Sequence, residues 1–531
     1  MVDLSAVEAV VADATRNDED VKAVSISTVS AFHTPRYTFD PASRIYNYLG
    51  NKFSLHGDAN SKLAIFEDRL QLIHARLMRN SLFAPPLPGS RRKHIPLTRI
   101  DDLAATSPDK IIHVTTLGIL TQPEDGVYCL EDNSNAVALD LHDIQQQLPG
   151  LFTEGCTVVI EGDYYPDGLE SLSTSTVDNH ASSNISSNTN ISSSQIHSKS
   201  SSSSSTGLTA KFTPLTERIS GVLKVNTLAH PPAEPRETTL RAMDIVDPFR
   251  VFQTPAEFSR VRSLQDSYEA SSYMFVILSD VHLDKPEVLR GIHKMLSTFS
   301  ACGSIPKMFI FMGNFLSTPY GQHPGDSLLY RSAFTALSEI LAAYPDISSE
   351  TKYVFVPGPN DPGSANVLPR APLPASIVSS LLNNASIPNI EFTTNPARIR
   401  FFTQEIVLFR HELSHRLRRK AIVPPKPSPP ERAVTDHLSR TIIDQAHLCP
   451  LPLSMQPIYW EYDHALRLSP MPDVIIIAED EDQYSYTHDG AETMLFNPGS
   501  FVKDGNFAVY RPSRQEVEHS SVQEEQNDDD D

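Results

Sequence analysis

Asp280-Val281-His282 stands at the end of the apolar run Met274–Leu278, one residue beyond it. A carboxylate and an imidazole two residues apart at a strand end project from one edge and can hold the same cation. A two-metal phosphoesterase begins its site in this way. The later parts of such a site are present as a frame without its ligands. The apolar run 308–312 leads into Gly313-Asn314, where a bridging Asp is needed. Asn offers one neutral carbonyl oxygen and cannot offset the repulsion of two divalent ions about 3.5–4 Å apart. Tyr353–Pro357 leads into Gly358-Pro359-Asn360-Asp361, in which Pro359 has no ligand atom and Asn360 replaces an imidazole. Val474–Ala478 is followed by Glu479-Asp480-Glu481 in place of a His-x-His pair. One ligand pair of the expected set survives, Asp280 with His282, and it leaves weak single-metal binding open. The site residues expected are therefore none catalytic, none cofactor-binding and no built metal centre.

The elements that must position these loops alternate strand and helix over residues 240–512, which predicts an α/β sandwich with its loops gathered at strand C-termini. Asp284 is the expected cap of a helix bearing Val288, Ile292 and Met295, with Pro286 in its first turn. Asp326 starts another through Leu329, Phe334, Leu337 and Leu341, ended by Pro345. Upstream, residues 90–238 hold five β-rich runs, 111–120, 127–130, 137–141, 157–162 and 219–225, which fit a small barrel of the OB type. A Ser/Asn/Thr-rich stretch, 171–206, interrupts them and reads as a disordered insert, because it offers too little apolar surface to offset its ordering entropy. Residues 1–84 read as a short helical segment, with Ser61 capping a helix that carries Leu63, Phe66, Leu70, Ile73 and Leu77. Residues 513–531 read as an acidic disordered tail.

Composition narrows the function. The 531 residues carry 44 Lys+Arg against 65 Asp+Glu, a formal charge of −21. That argues against the whole surface tracking nucleic acid. The barrel runs carry Glu131, Asp132, Asp140, Glu161 and Asp163 but only Tyr128, Tyr164 and Tyr165 as aromatics, so protein docking suits them better than single-strand binding. The concentrated positive run is His415–Lys420. A solvated loop fits it about as well as nuclear import or phosphate contact. Cys129, Cys156, Cys302 and Cys449 form no Cys-x-x-Cys and are expected as buried free thiols. No signal peptide or membrane span is expected.

The ordered motifs 280–284, 313–321, 355–363, 394–399, 403–406, 409–413, 447–452, 459–463 and 497–500 resemble the B subunits of eukaryotic replicative DNA polymerases, most closely the epsilon branch. The resemblance covers roughly residues 25–510 and implies an OB domain beside an inactivated calcineurin-like phosphoesterase sandwich. It also implies a nuclear, non-catalytic subunit that holds the C-terminal region of the polymerase's catalytic subunit. Contact with other replisome proteins, including the replicative helicase assembly, belongs to the same expectation, with DNA met mainly through the complex. The family's N-terminal helical module is expected to be largely missing. Two other readings stay in view: a residual phosphoesterase using Asp280, His282 and substitutes such as His411, Glu479, Asp480 or Glu481, and a free single-strand DNA-binding barrel.

Overall fold

The computed structural model describes residues 26–522 except 51–52, 87–88, 90–91, 125, 167–217, 253, 268–271, 364–365 and 426–432. Two six-stranded sheets face each other. The first has the spatial order Ile390–Phe392, Lys352–Val356, Met308–Met312, Phe275–Ser279, Asn506–Arg511, Glu516–Ser521. The second runs Ile26–Ser30, Ala397–Phe401, Gln404–Arg410, Val474–Ala478, Thr493–Asn497, Tyr484–His488. The runs 275–278, 308–312 and 474–478 are apolar at every position because both faces are covered, as in parallel sheets generally. Phe275, Ile277, Met308 and Ile310 point inward to meet Ile399, Ile406, Leu408, Val474 and Ile476 between the sheets. The alternate residues Val276, Leu278, Phe309, Phe311 and Phe355 point outward, against helices Pro286–Ala301 and Asp326–Ala342. Helix Val434–Gln445 covers the outer face of the second sheet. The result is a four-layer α/β/β/α sandwich.

The barrel is built from Ile112–Glu124, Val127–Glu131, Ala136–Asp140, Thr157–Tyr165 and Arg218–Ala229, and pairing of the third strand with the fifth closes it. It is joined to the sandwich by a polar seam. His437, Thr441 and Gln445, one turn apart on helix Val434–Gln445, accept from the backbone N–H groups of Gly150, Leu151 and Thr157 at 2.9, 2.7 and 2.8 Å. Gln445 returns a bond to the Thr157 carbonyl. These edge groups would be left unpaired by any sliding of one unit on the other, which fixes their relative position. Gly150 takes a φ of +148°, and a Cβ there would lie 2.4 Å from His230.

Several expectations are corrected. The segment 1–84 is not uniformly helical: Ile26–Ser30 is an edge strand of the second sheet and Tyr37–Asp40 pairs with Ile45–Tyr48 as a hairpin. The helix itself spans Ala59–Leu77, and Asp58 caps it, accepting from the Ser61 amide at 2.8 Å. Asp284 caps nothing; its carboxylate accepts from the amide and hydroxyl of Ser317 instead. Within the acidic tail, Glu516–Ser521 pairs with Asn506–Arg511, helped by the Arg511–Glu518 ion pair at 2.9 Å. Cys302 is exposed, whereas Cys129, Cys156 and Cys449 are buried free thiols. Among the described residues no helix is long and apolar enough to cross a membrane.

The Ser-rich insert 171–206 lies outside the described residues. The strands on either side pair directly, with Tyr165 opposite Val222. Loop-closure entropy changes by only about 0.6 kcal/mol per doubling of length. Deleting 171–206 is therefore expected to leave the melting temperature nearly unchanged. A loss of several degrees in a thermal melt would show that the insert packs on the barrel.

Candidate functional site

Three parallel strands end in register, Ser279 beside Met312 beside Val356, so the loops at Asp280, Gly313 and Pro357 emerge side by side. In the facing sheet Arg410 pairs in register with Ala478. All these ends meet at one edge of the sandwich. Asp280 has a φ of +52°, a left-handed conformation that is uncommon for a non-glycine residue and recurs at functional sites. Close approach explains the glycines: a Cβ on Gly313 would lie 1.9 Å from the Asp361 carboxylate and 2.5 Å from the Gly358 nitrogen.

A guanidinium fills the middle of this edge. Arg410 is 1 % exposed, and its side chain donates to Asp280 Oδ1 at 2.7 Å, to the Gly313 carbonyl at 2.6 Å, to the Ala478 carbonyl at 3.1 Å and to Glu412 at 2.6 Å. One side chain thereby ties the ends of four strands from both sheets. Burial works against its charge, but Asp280 and Glu412 more than offset that and raise its pKa. Asn314 is turned to the same task, its amide group donating to Asp280 at 3.3 Å while its carbonyl oxygen accepts from the Asn360 amide at 2.9 Å. Asp361 is fully engaged by the Phe315 and Gly358 amides and the Tyr330 hydroxyl.

The remaining candidates do not assemble. His282 Nε2 stands 3.9 Å from Asp280 Oδ1, and burial lowers its pKa. Glu479 is buried beneath the edge, accepting from the amides of Leu413 and Ser414. Its burial, with Glu412 nearby, pushes its pKa up to about 8, so it is largely protonated at neutral pH and a poor ligand. His411 is buried among Arg416 and Arg410 and its pKa falls to about 3. Asp480 turns away to Lys503 at 2.6 Å. No three of the His, Cys, Asp and Glu side chains among the described residues are grouped so as to hold an ion. A cation at Asp280 would have to share its carboxylate with a guanidinium, so the residues present do not fit a two-metal centre.

Residues 275–486 match the family of B subunits of DNA polymerases alpha and epsilon, and residues 59–232 match the OB-fold domain of DNA polymerase epsilon subunit 2-like proteins. The chain is 33 % identical to human DNA polymerase epsilon subunit 2 over 540 residues, covering 98 % of this chain and 88 % of that one. It is 32 % identical to the DNA polymerase epsilon B subunit of Arabidopsis thaliana over 504 residues, 94 % of this chain and 84 % of that one. This chain belongs to the B-subunit family of DNA polymerase epsilon. In this member of the family the decisive residue, Arg410, was not singled out by spacing. It stands in the run Phe409–Leu413, and its partner Asp280 lies 130 residues away in the chain. The one signal available was an Arg at the end of a strand with the apolar centre Ile406–Phe409.

Proposed function

We propose that this chain is a non-catalytic accessory subunit of DNA polymerase epsilon, working in the nucleus as a scaffold for the C-terminal region of the catalytic subunit in chromosomal replication. The sandwich reads as a calcineurin-like phosphoesterase that has exchanged its metals for a fixed guanidinium. The observation that carries this is Arg410, whose charge holds together the strand ends that a pair of ions would otherwise join. A rigid double unit, sandwich plus barrel locked by the helix 434–445 seam, then remains as a platform. Stable association needs such a surface, since obligate interfaces commonly bury about 2,000 Å² or more. Other replisome proteins, including the replicative helicase assembly, are further partners on this reading, and DNA is met mainly through the complex.

The single-strand reading has weaker support. Tyr164 is buried with its hydroxyl on the Ser220 carbonyl, so it is no stacking platform. His113 on the barrel face is bracketed by Glu161 and Asp163 at 3.1 and 2.8 Å, an acidic setting for a phosphate backbone.

Two measurements test the proposal. Purified protein with manganese and a generic phosphodiester is expected to give no turnover; activity abolished by Asp280→Ala would overturn the inactive reading. Co-expressed with the C-terminal region of the catalytic subunit, the chain is expected to co-elute in size-exclusion chromatography at both moderate and high salt. Separate elution under both conditions, with this chain alone retaining single-stranded DNA, would replace the scaffold by the DNA-binding barrel.

A further inference from the structure

The basic run His415–Lys420 folds as part of the helix Ser414–Lys420, held down by Leu417 at 0 % and Ser414 at 3 % exposure. Its two ends differ in charge. At the start Glu479 accepts from the Leu413 and Ser414 amides and Glu412 accepts from the Asp480 amide, so the acidic loop 479–482 gathers there. At the other end Arg418, Arg419 and Lys420 are exposed, and exposed His415 lies one turn before Arg418 and Arg419 on the same face. Arg416 is half-buried and donates to Gln456 at 2.8 Å. Among the described residues no ion pair or hydrogen bond engages the side chains of Arg418, Arg419 and Lys420, although Glu154 of the barrel lies toward Lys420. The chain then pins this end in place. The Ile422 amide donates to the Phe152 carbonyl at 2.7 Å and Val423 bridges to Phe152, so the three cations stand where the sandwich meets the barrel.

The chain as a whole carries −21, which sets a fixed cationic point apart from the rest of the surface. A helix dipole favours cations in the last turn, but it does not call for three in succession. A polyanion does. No Phe, Tyr or Trp occurs over residues 410–425, so the stacking platform that a single strand uses is missing there. Duplex DNA needs none. It presents one phosphate charge per about 1.7 Å of axis, and the planar fork of arginine suits phosphate oxygens. We propose that Arg418, Arg419 and Lys420 contact the phosphate backbone of duplex DNA at the barrel–sandwich junction. The proposal rests on the reading that this chain works within a DNA polymerase complex, which brings the duplex to it; the free chain alone binds weakly.

Fluorescence anisotropy of a labelled duplex of about 30 base pairs, titrated with the full-length chain from about 50 to 200 mM salt, tests this. Arg418→Gln/Arg419→Gln/Lys420→Gln is expected to weaken binding at least about tenfold at the lowest salt and to lower the slope of log K against log salt by about 2–3. Arg418→Gln alone should lower that slope by about one, and Arg418→Lys/Arg419→Lys, which keeps the charge, should leave it nearly unchanged. Lys110→Gln/Arg262→Gln/Arg290→Gln removes three exposed cations elsewhere and is expected to stay within about threefold of wild type. No binding of the duplex at about 50 mM salt would overturn the proposal, as would a 418–420 variant indistinguishable from wild type or an equal loss in the control variant. Tighter binding to poly-glutamate than to the duplex, lost in the 418–420 variant, would overturn it too, by assigning the helix to an acidic protein segment. Co-elution with the catalytic subunit decides the scaffold reading separately, because this assay uses the chain alone.

Discussion

Replacing Arg410 by Met is expected to destabilise the protein by about 3–5 kcal/mol, the range for removing one partner of a buried ion pair. The loss has two parts. Asp280, 4 % exposed, would be left with only Asn314 donating to it, and the Gly313 and Ala478 carbonyls would lose a donor in a place water reaches poorly. Asp280→Asn is expected to cost less, because the guanidinium keeps Gly313, Ala478 and Glu412. The double variant Asp280→Asn/Arg410→Met removes both charges, and its loss should fall short of the sum of the single losses by at least about 1 kcal/mol. Urea titrations of the four proteins measure this. Strict additivity, or an Arg410→Met variant within about 1 kcal/mol of wild type, would mean that the guanidinium does not substitute for a metal.

The frame of this site was readable in the sequence because its signals are local. Runs such as 275–278 and 308–312 are apolar at every position, which needs two covered faces. The five barrel strands stand close to where their β-branched residues put them. What stayed hidden is contact across the chain. Ser61 and Asp58 are both capping types three residues apart, and only the observed helix start at Ala59 decides for Asp58. Residues 26–30, Ile-Ser-Thr-Val-Ser, are β-formers whose pairing partner lies some 370 residues later, so the helix that follows coloured their reading. In the tail, counting Glu516 and Glu518 as charge hid the alternation that lets Val517 pack on the core between the sheets. Arg410 is the extreme case, since its type and spacing resemble a surface arginine until Asp280 is placed 2.7 Å from it.

Lowering the pH from 7 to 5 is expected to lower the protein's stability. Four buried histidines drive this. Burial lowers the pKa of His230 and His447 to about 4 and of His411 and His464 to about 3, with nearby arginines adding to the effect. The unfolded chain protonates them near 6.5, the folded chain only far below. Between those values unfolding takes up protons, so stability is fully present above about pH 6.5 and falls as the pH drops toward 4 and then 3. At pH 5 each histidine contributes a loss of about 2 kcal/mol, against a typical total stability of about 5–15 kcal/mol. Glu479 works in the opposite direction. Its folded pKa of about 8 exceeds the unfolded value, so the folded state is favoured as pH falls across that range. Asp361 and Asp473, also raised by burial, act with it, so the net loss is smaller than the histidine sum. Urea midpoints at half-unit steps from pH 7.5 to 4.5 give the slope directly. His411→Gln and His464→Asn should each flatten it by close to one proton even if they lower the midpoint at pH 7. A midpoint constant from pH 7 to 5, or slopes untouched by both substitutions, would show that these imidazoles are not held neutral by the fold.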